Sequence, residues 1–281
     1  AARKIAVLAD KIKNSASGDK LNEEQIKAVK KSINDILKTL SDVETQVVLN
    51  TLVEFMNNEN IEVFCNQLSD AEWDRFVEAN RNSTMAHLYG WKKVIESSYG
   101  HKSYYFYVDK SGEIVSILPL IFINSRIFGK QLVSMPFLDY GGICTKNDVD
   151  ATEYIDGILN RVKVLSSDLN ADHVDLRHLT NIFSGLKTNL EKVTMIMDLK
   201  STEESMWKAL TSERRNRIRK SLENDLKASF FGSEAIDEFY DVFAVNMRDL
   251  GSPVHSKLFF ENIMKVFESR TKIILVKHKS N

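Results

Sequence analysis

Cysteine, proline, long apolar runs and any excess of one charge are all scarce in this chain. The two cysteines, Cys65 and Cys144, stand far apart and without metal-ligand spacing. They read as buried reduced thiols of a cytosolic protein, not as a disulfide or a zinc site. The three prolines, Pro119, Pro136 and Pro253, leave no proline-rich linker. No apolar run approaches the roughly 20 residues that span a bilayer, and no signal peptide precedes the first predicted helix. Basic and acidic side chains number 38 and 39, for a net charge of -1. That balance excludes an overall basic nucleic-acid wrapper, so any polyanion site must be a local patch. No His, Cys or carboxylate spacing resembles a metal site.

What remains is the composition of an ordinary soluble globular protein, 43% apolar and 27% charged. A length of 281 residues fits about two domains of roughly 150 residues each, or one large one. The most informative stretch is 211–226, TSERRNRIRKSLENDL. Arg214, Arg215, Arg217, Arg219 and Lys220 fall within seven residues, with Glu213 as the local counter-charge. Guanidinium forks on a helix suit phosphate or carboxylate oxygens. The competing reading is a solvated helix face, because Glu204 stands four residues before Lys208 and Glu213 four before Arg217.

Three organisational segments are predicted. Residues 1–59 form a helical arm, with apolar stripes at Ile5, Leu8, Ile12, then Ile26 to Leu40, then Val47 to Phe55. Residues 60–200 alternate: a strand over 61–68, a helix capped by Asp70 and running to 79, and a second helix over 84–99. Strands follow over 103–108, 113–123 and 132–137, the last ending in the turn LDYGG. A helix over 151–169, a strand at HVDLRHL and a closing strand over 193–199 complete the set. Residues 201–281 carry the basic helix, then strand 227–231, helices 236–250 and 257–267, and strand 272–278. The order strand, helix, helix, strand thus recurs. It predicts an α/β fold with a GNAT-like mixed sheet whose second copy stops after its second strand, as in a fragment of a longer protein.

Several segments together resemble the FemAB-like family of duplicated GNAT-fold transferases, in its branch associated with the exosortase/PEP-CTERM system. They are GWKKVIESSYGHKSYYFYV (90–108), SILPLIFINSRIFGKQLVSMPFLDYGGI (116–143), VDLRHL (174–179), RRNRIRKSLENDL (214–226) and FYDVFAVNMRDLGSPVHSKLFFENIM (239–264). The resemblance covers about 60–281 and leaves the helical arm outside. It implies transfer of an aminoacyl or acyl group onto an amine of a cell-envelope or exopolysaccharide-linked acceptor. Aminoacyl-tRNA is the donor it favours. Acetyl-CoA ranks lower, because no R/Q-x-x-G-x-G/A phosphate loop follows any strand. The family's R-x-N-I-R-K pattern maps onto Arg215-Asn216-Arg217-Ile218-Arg219-Lys220 with Asn and Arg shifted. Arg215 is then the leading phosphate ligand, supported by Arg214, Arg219 and Lys220. The family's first-repeat tryptophan corresponds to Trp91, where Ile95 stands in place of the lysine four residues on.

Among single sites, Asp139 and Tyr140 precede Gly141-Gly142 at a strand end. Asp139 is a candidate base or guide for an attacking amine with Tyr140 as donor; the alternative is a plain turn. Arg177 and His178 end a strand, where ligands sit in α/β sheets, although a surface ion pair is the favoured reading. Arg248 and His255 flank Gly251-Ser252-Pro253, with His255 a candidate acid/base or part of a fixed turn. His87 and His101 read as packing or capping residues. Two further functions stay open: a non-catalytic assembly module of an envelope-polymer system, docking through residues 3–58, and an acetyl-CoA-dependent N-acetyltransferase. The expected location is cytoplasmic, peripheral to the inner face of the membrane.

Overall fold

The computed structural model describes residues 61–146, 151–178, 186–189 and 194–278, together with the helical, exposed Lys27 and Lys31. The predicted helical arm otherwise lies outside the described residues. The chain divides into two compact units, Ala1–Ile61 and Glu62–Asn281, and the account below concerns the second.

Strand β1 (Ile61–Cys65) stops three residues short of expectation because Asn66 turns to a φ of 56°. The Asn66 amide N–H donates to the Tyr105 carbonyl at 2.9 Å, and its side-chain oxygen accepts from the Tyr105 N–H at 3.1 Å. Helix α1 (Asp70–Ala79) is capped by Ser69, not by Asp70. The Ser69 hydroxyl accepts from the Glu72 N–H and the Glu72 carboxylate accepts from the Ser69 N–H, a reciprocal cap that satisfies two orphan donors. The helix expected over 84–99 is a 3-10 turn at Met85–His87 followed by α2 (Gly90–Tyr99), which ends at Gly100 with a φ of 68°.

Strands β2 (Lys102–Lys110) and β3 (Glu113–Ser125) form an antiparallel hairpin. Ser111 and Gly112 both take positive φ, as a two-residue hairpin loop of the right twist requires. β4 (Gly129–Val133) runs antiparallel to β3, and β6 (His173–Asp175) runs parallel to β4, so the sheet is mixed, in the order β1-β2-β3-β4-β6. The short β5 (Cys144–Thr145) pairs with the first half of β3. Pro119 is tolerated in the middle of β3 for a specific reason. Its partner Tyr105 directs its backbone groups toward Asn66, so Pro119 lacks its N–H on the side away from β2. There β5 reaches only to Ile117 and β4 begins only at Ile121.

One sheet face carries Tyr105, Tyr107, Ile117 and Ile121 under Trp73, Trp91, Val94 and Ile95 of α1 and α2. Helix α3 (Thr152–Leu169) packs on β2 and β3 with Tyr154, Ile158 and Val162 buried. After α3 and β6 come two short helices, α4 (Glu203–Ala209) and α5 (Ser212–Glu223). Then β7 (Leu226–Phe231), α6 (Ile236–Asp249), α7 (Lys257–Val266) and β8 (Ile273–His278) repeat the order of β1, α1, α2 and β2. β7 and β8 pair antiparallel as a separate two-stranded sheet. Helix α7 packs along α2 and inserts Phe259 into the main core. Gly90 permits that approach: a Cβ there would lie 2.6 Å from the Phe267 ring.

Among the described residues one predicted strand is absent and another is displaced. Residues 194–200 have no regular secondary structure, are exposed and lie outside any ladder, with Met195 at 90% and Leu199 at 82% exposure. β4 ends at Val133 instead of Phe137, because Met135 and Phe137 take φ of 52° and 72°, which no strand allows. Both cysteines are free thiols, and burial pushes Cys65 up to about 11 and Cys144 upward, so both stay protonated. Among the described residues no helix is long and apolar enough to cross a membrane.

Candidate functional site

The segment 134–143, SMPFLDYGGI, leaves the end of β4 and is tied down residue by residue. The Ser134 N–H donates to the Asp175 carbonyl at 2.8 Å, and its hydroxyl accepts from the Arg177 N–H at 2.7 Å. The amides of Gly141 and Gly142 both donate to the Arg177 carbonyl, at 3.1 and 2.8 Å. The Gly142–Ile143 peptide is then held from both ends. Its carbonyl accepts from His87 Nε2 at 3.0 Å, and its N–H donates to His178 Nε2 at 2.8 Å. Both imidazoles must be neutral for this: His87 Nδ1 accepts from the Thr84 N–H at 3.1 Å, which leaves its proton on Nε2. Burial lowers the pKa of both rings, in keeping with the geometry. The glycines are needed for space. A Cβ on Gly141 would lie 2.5 Å from Met135 Cγ, and one on Gly142 would overlap the His178 ring.

This fixed loop delivers Phe137 to an aromatic and histidine cluster built from three separate parts of the chain. Tyr99 comes from the last turn of α2, His101 from the approach to β2, and His255 and Phe259 from the start of α7. Phe137 lies 5.0 Å from Tyr99, 5.0 Å from His255 and 5.8 Å from Phe259, ring centre to ring centre. The Tyr99 hydroxyl and His255 Nδ1 are hydrogen-bonded at 2.8 Å, and the Tyr240 hydroxyl donates to the His255 carbonyl at 3.0 Å. His101 stacks on Tyr99 at 5.7 Å. Burial lowers the pKa of His255 and His101 and raises that of Tyr99. A neutral, half-buried imidazole bonded to a phenol can take up or return one proton. Asp139 and Tyr140 follow Phe137 on the same loop, Asp139 exposed and Tyr140 half-buried. Asp139 and Tyr140 stand two and three residues beyond Phe137, and among the described residues no hydrogen bond or ring contact joins them to the cluster that holds His255.

The predicted anion ligands fare differently. Helix α5 has no buried residue. Arg215 is half-exposed, and its guanidinium is engaged: its Nη1 donates to the carbonyls of Leu210 at 2.6 Å, Lys208 at 3.3 Å and Trp207 at 3.4 Å. It caps the C-terminal end of α4, where a cation meets the negative end of the helix dipole. Arg219 lies over the Trp207 ring at 5.5 Å and donates to Asn216 at 3.1 Å. Arg217 pairs with Glu213 at 2.6 Å, as the spacing predicts. Arg214 and Lys220 are exposed and have no side-chain partner among the described residues.

Three further assignments meet structural roles. Trp91 is 3% exposed, and its indole N–H donates to the Met85 carbonyl at 2.9 Å, so it is a core residue out of ligand reach. The Arg177 guanidinium is engaged by Asp175 at 3.0 Å and by the Leu138 carbonyl at 3.0 Å, which makes it a staple of the loop. Arg248 pairs with its neighbour Asp249 on the surface, at 2.9 Å. Residue reading missed Tyr99, His101, Phe137 and Phe259 as a group. The spacing of Tyr99 to His101, and of His255 to Phe259 one helical turn on, was the available signal. Among the described residues no group of three His, Cys, Asp or Glu is placed to hold a metal ion.

The FemAB family profile matches residues 158–280. The crystal structure of FemX superposes with a TM-score of 0.55 at 16% identity, covering 76% of this chain and 58% of FemX. The chain thus spans less than two thirds of FemX, and the likeness concerns the fold. A ribosomal-protein-alanine N-acetyltransferase from Brucella melitensis biovar Abortus 2308 superposes at 0.34 with 7% identity, over 50% of this chain and 100% of its own. A GNAT family acetyltransferase from Staphylococcus aureus subsp. aureus USA300_TCH1516 gives 0.33 with 11% identity, over 49% and 99%. Scores that low support no argument. No curated protein sequence matches the chain. The fold is mixed α/β with a mixed sheet and is shared with FemX, while the FemAB profile covers less than half of the chain.

Proposed function

We propose that this chain is an acyl-transferring enzyme of the FemAB kind, moving an aminoacyl group from aminoacyl-tRNA to an amine of an envelope-precursor or exopolysaccharide-linked acceptor. The amine nitrogen attacks the ester carbonyl carbon, the amine gives up a proton, and the nucleotide hydroxyl leaves with one. The observation that carries this reading is the convergence of Tyr99, Phe137, His255 and Phe259 from both halves of the second unit. Neutral His255, in contact with the Tyr99 hydroxyl, takes the amine proton. Asp139, exposed two residues beyond Phe137, steers the amine, and Tyr140 donates beside it. Arg214 and Lys220 bind phosphates of the donor or the acceptor from the exposed side of α5, with Arg219 beside them on Trp207. Arg215 keeps the α4–α5 corner in shape.

The test is turnover of the intact protein on labelled donor with an envelope-precursor extract, compared with His255→Ala and Asp139→Asn. We expect a loss of on the order of 100-fold in kcat for His255→Ala, the usual scale of a proton-transfer group. Full activity in both variants would reject these roles.

A second reading, a non-catalytic assembly module, draws on one observation. Met195, Ile196, Met197 and Leu199 form an exposed apolar run of the kind that marks an interaction surface. Deleting residues 3–58 would abolish complex formation on that reading and spare any transfer. Loss of transfer with an intact complex would count against it.

A further inference from the structure

The β3–β4 hairpin presents large apolar side chains to solvent on a rigid, projecting tip. Ile127 is 84% exposed and Phe128 68%. The loop is held firmly: Ser125 Oγ accepts from the N–H groups of Ile127 at 3.2 Å and Phe128 at 3.1 Å. Gln131 donates to the Phe128 carbonyl at 2.7 Å, and Gly129 closes the turn at a φ of 77°. The last β2 pair is Lys102 with Phe122, so the hairpin runs about 10 Å past its neighbour strand at roughly 3.3 Å per residue. Order and apolar exposure together are costly, because a mobile tip could fold its side chains inward and this one cannot.

Charge completes the pattern. Arg126 is exposed within the turn, Lys130 is half-exposed at its base, and Lys102 is exposed on the adjoining strand. The carboxylate there, Asp172, accepts the Lys130 N–H at 2.8 Å and braces the hairpin from the β6 side. We propose that this tip is a membrane-docking wedge, in which Ile127 and Phe128 enter the apolar edge of an anionic lipid surface while Arg126, Lys130 and Lys102 meet its headgroups. A protein partner fits less well: a stable interface takes about 800 Å² per side, more than two side chains on a finger supply. A lipid surface needs only a few inserted apolar groups backed by cations. The wedge lies at the end of the sheet where β2 begins, the end that carries His101, so docking would hold the Tyr99–His255 cluster on the membrane side. The inference stands apart from the transfer reaction and is tested without it.

The experiment is vesicle flotation of the full chain on phosphatidylcholine alone and on phosphatidylcholine with about one third phosphatidylglycerol. The variants are Ile127→Ser with Phe128→Ser, Arg126→Gln, and Phe230→Ser as a control at an exposed apolar site on β7. We expect the wild type to float with the anionic vesicles only and the double variant to bind at least about tenfold less at unchanged Tm. Arg126→Gln should weaken binding and its salt dependence, and Phe230→Ser should leave binding intact. Absence of wild-type binding to anionic vesicles would overturn the proposal. So would a double variant that floats like the wild type, or a control that loses binding while the double variant keeps it.

Discussion

His87 and His178 hold opposite ends of a single peptide group, the one between Gly142 and Ile143. One ring donates to its carbonyl and the other accepts from its N–H. His178 must be neutral to accept that N–H, and His87 must be neutral because its Nδ1 accepts from the Thr84 N–H; burial lowers the pKa of both from the usual 6.5. The unfolded chain therefore binds protons that the folded one refuses. Stability is full above about pH 6.5 and falls as the pH drops from there toward the lowered folded values. His101 and His255, also lowered by burial, act in the same direction. Urea unfolding at about pH 7.5 and about pH 5.5 should show a clear loss at the lower value. His87→Gln should be less stable at the higher pH and show a shallower pH slope. Equal slopes would remove this account of the clamp.

Gly142→Ala should be destabilising by about 2 kcal/mol, because the added methyl overlaps the His178 ring and the loop has little freedom to yield. Thermal or urea unfolding measures it. A neutral result would mean that the loop is less tightly held than its hydrogen bonds indicate.

Ser103 offers the opposite sign. It is 5% exposed, and its hydroxyl has no hydrogen-bond partner among the described residues. Ser103→Ala removes a buried, unsatisfied polar group and should stabilise by about 1 kcal/mol. A loss of stability would point to a partner for that hydroxyl.

The basic helix separates into residues that hold structure and residues free to bind. Arg215→Ala strips three carbonyls at the end of α4 of their donor and should cost about 1 kcal/mol of stability or fraying of α4, read by amide hydrogen exchange. Lys220→Ala with Arg214→Ala should leave stability unchanged, raise KM for the phosphate-bearing substrate and flatten its salt dependence. The reverse pattern would return the ligand role to Arg215.

The elements that could be read from the residues are those with strong local grammar. The strands over 103–108 and 113–123, the helices over 70–79, 236–250 and 257–267, and the final strand all stand close to where their patterns place them. The failures have physical causes. Residues 134–137 look like strand by composition, but their backbone is set by long-range bonds to Asp175 and Arg177, which no local pattern records. Residues 193–199 have an apolar strand composition and no ladder to join among the described residues. Arg215 carries the charge of a ligand, yet its use is decided by the angle at which α4 meets α5. The residue types at the site were visible one by one: His255, Asp139 and Tyr140 stood out. The grouping of His255 with Tyr99 and Phe137 was not visible, because it depends on α7 returning to pack on α2.

Product analysis tests the central claim most directly. The intact protein would be given isotopically labelled aminoacyl-tRNA and, in parallel, labelled acetyl-CoA, each with an envelope-precursor extract, and the products identified by mass spectrometry. The account predicts an aminoacylated acceptor, lost in His255→Ala. An acetylated product, or no product from either donor, would contradict it.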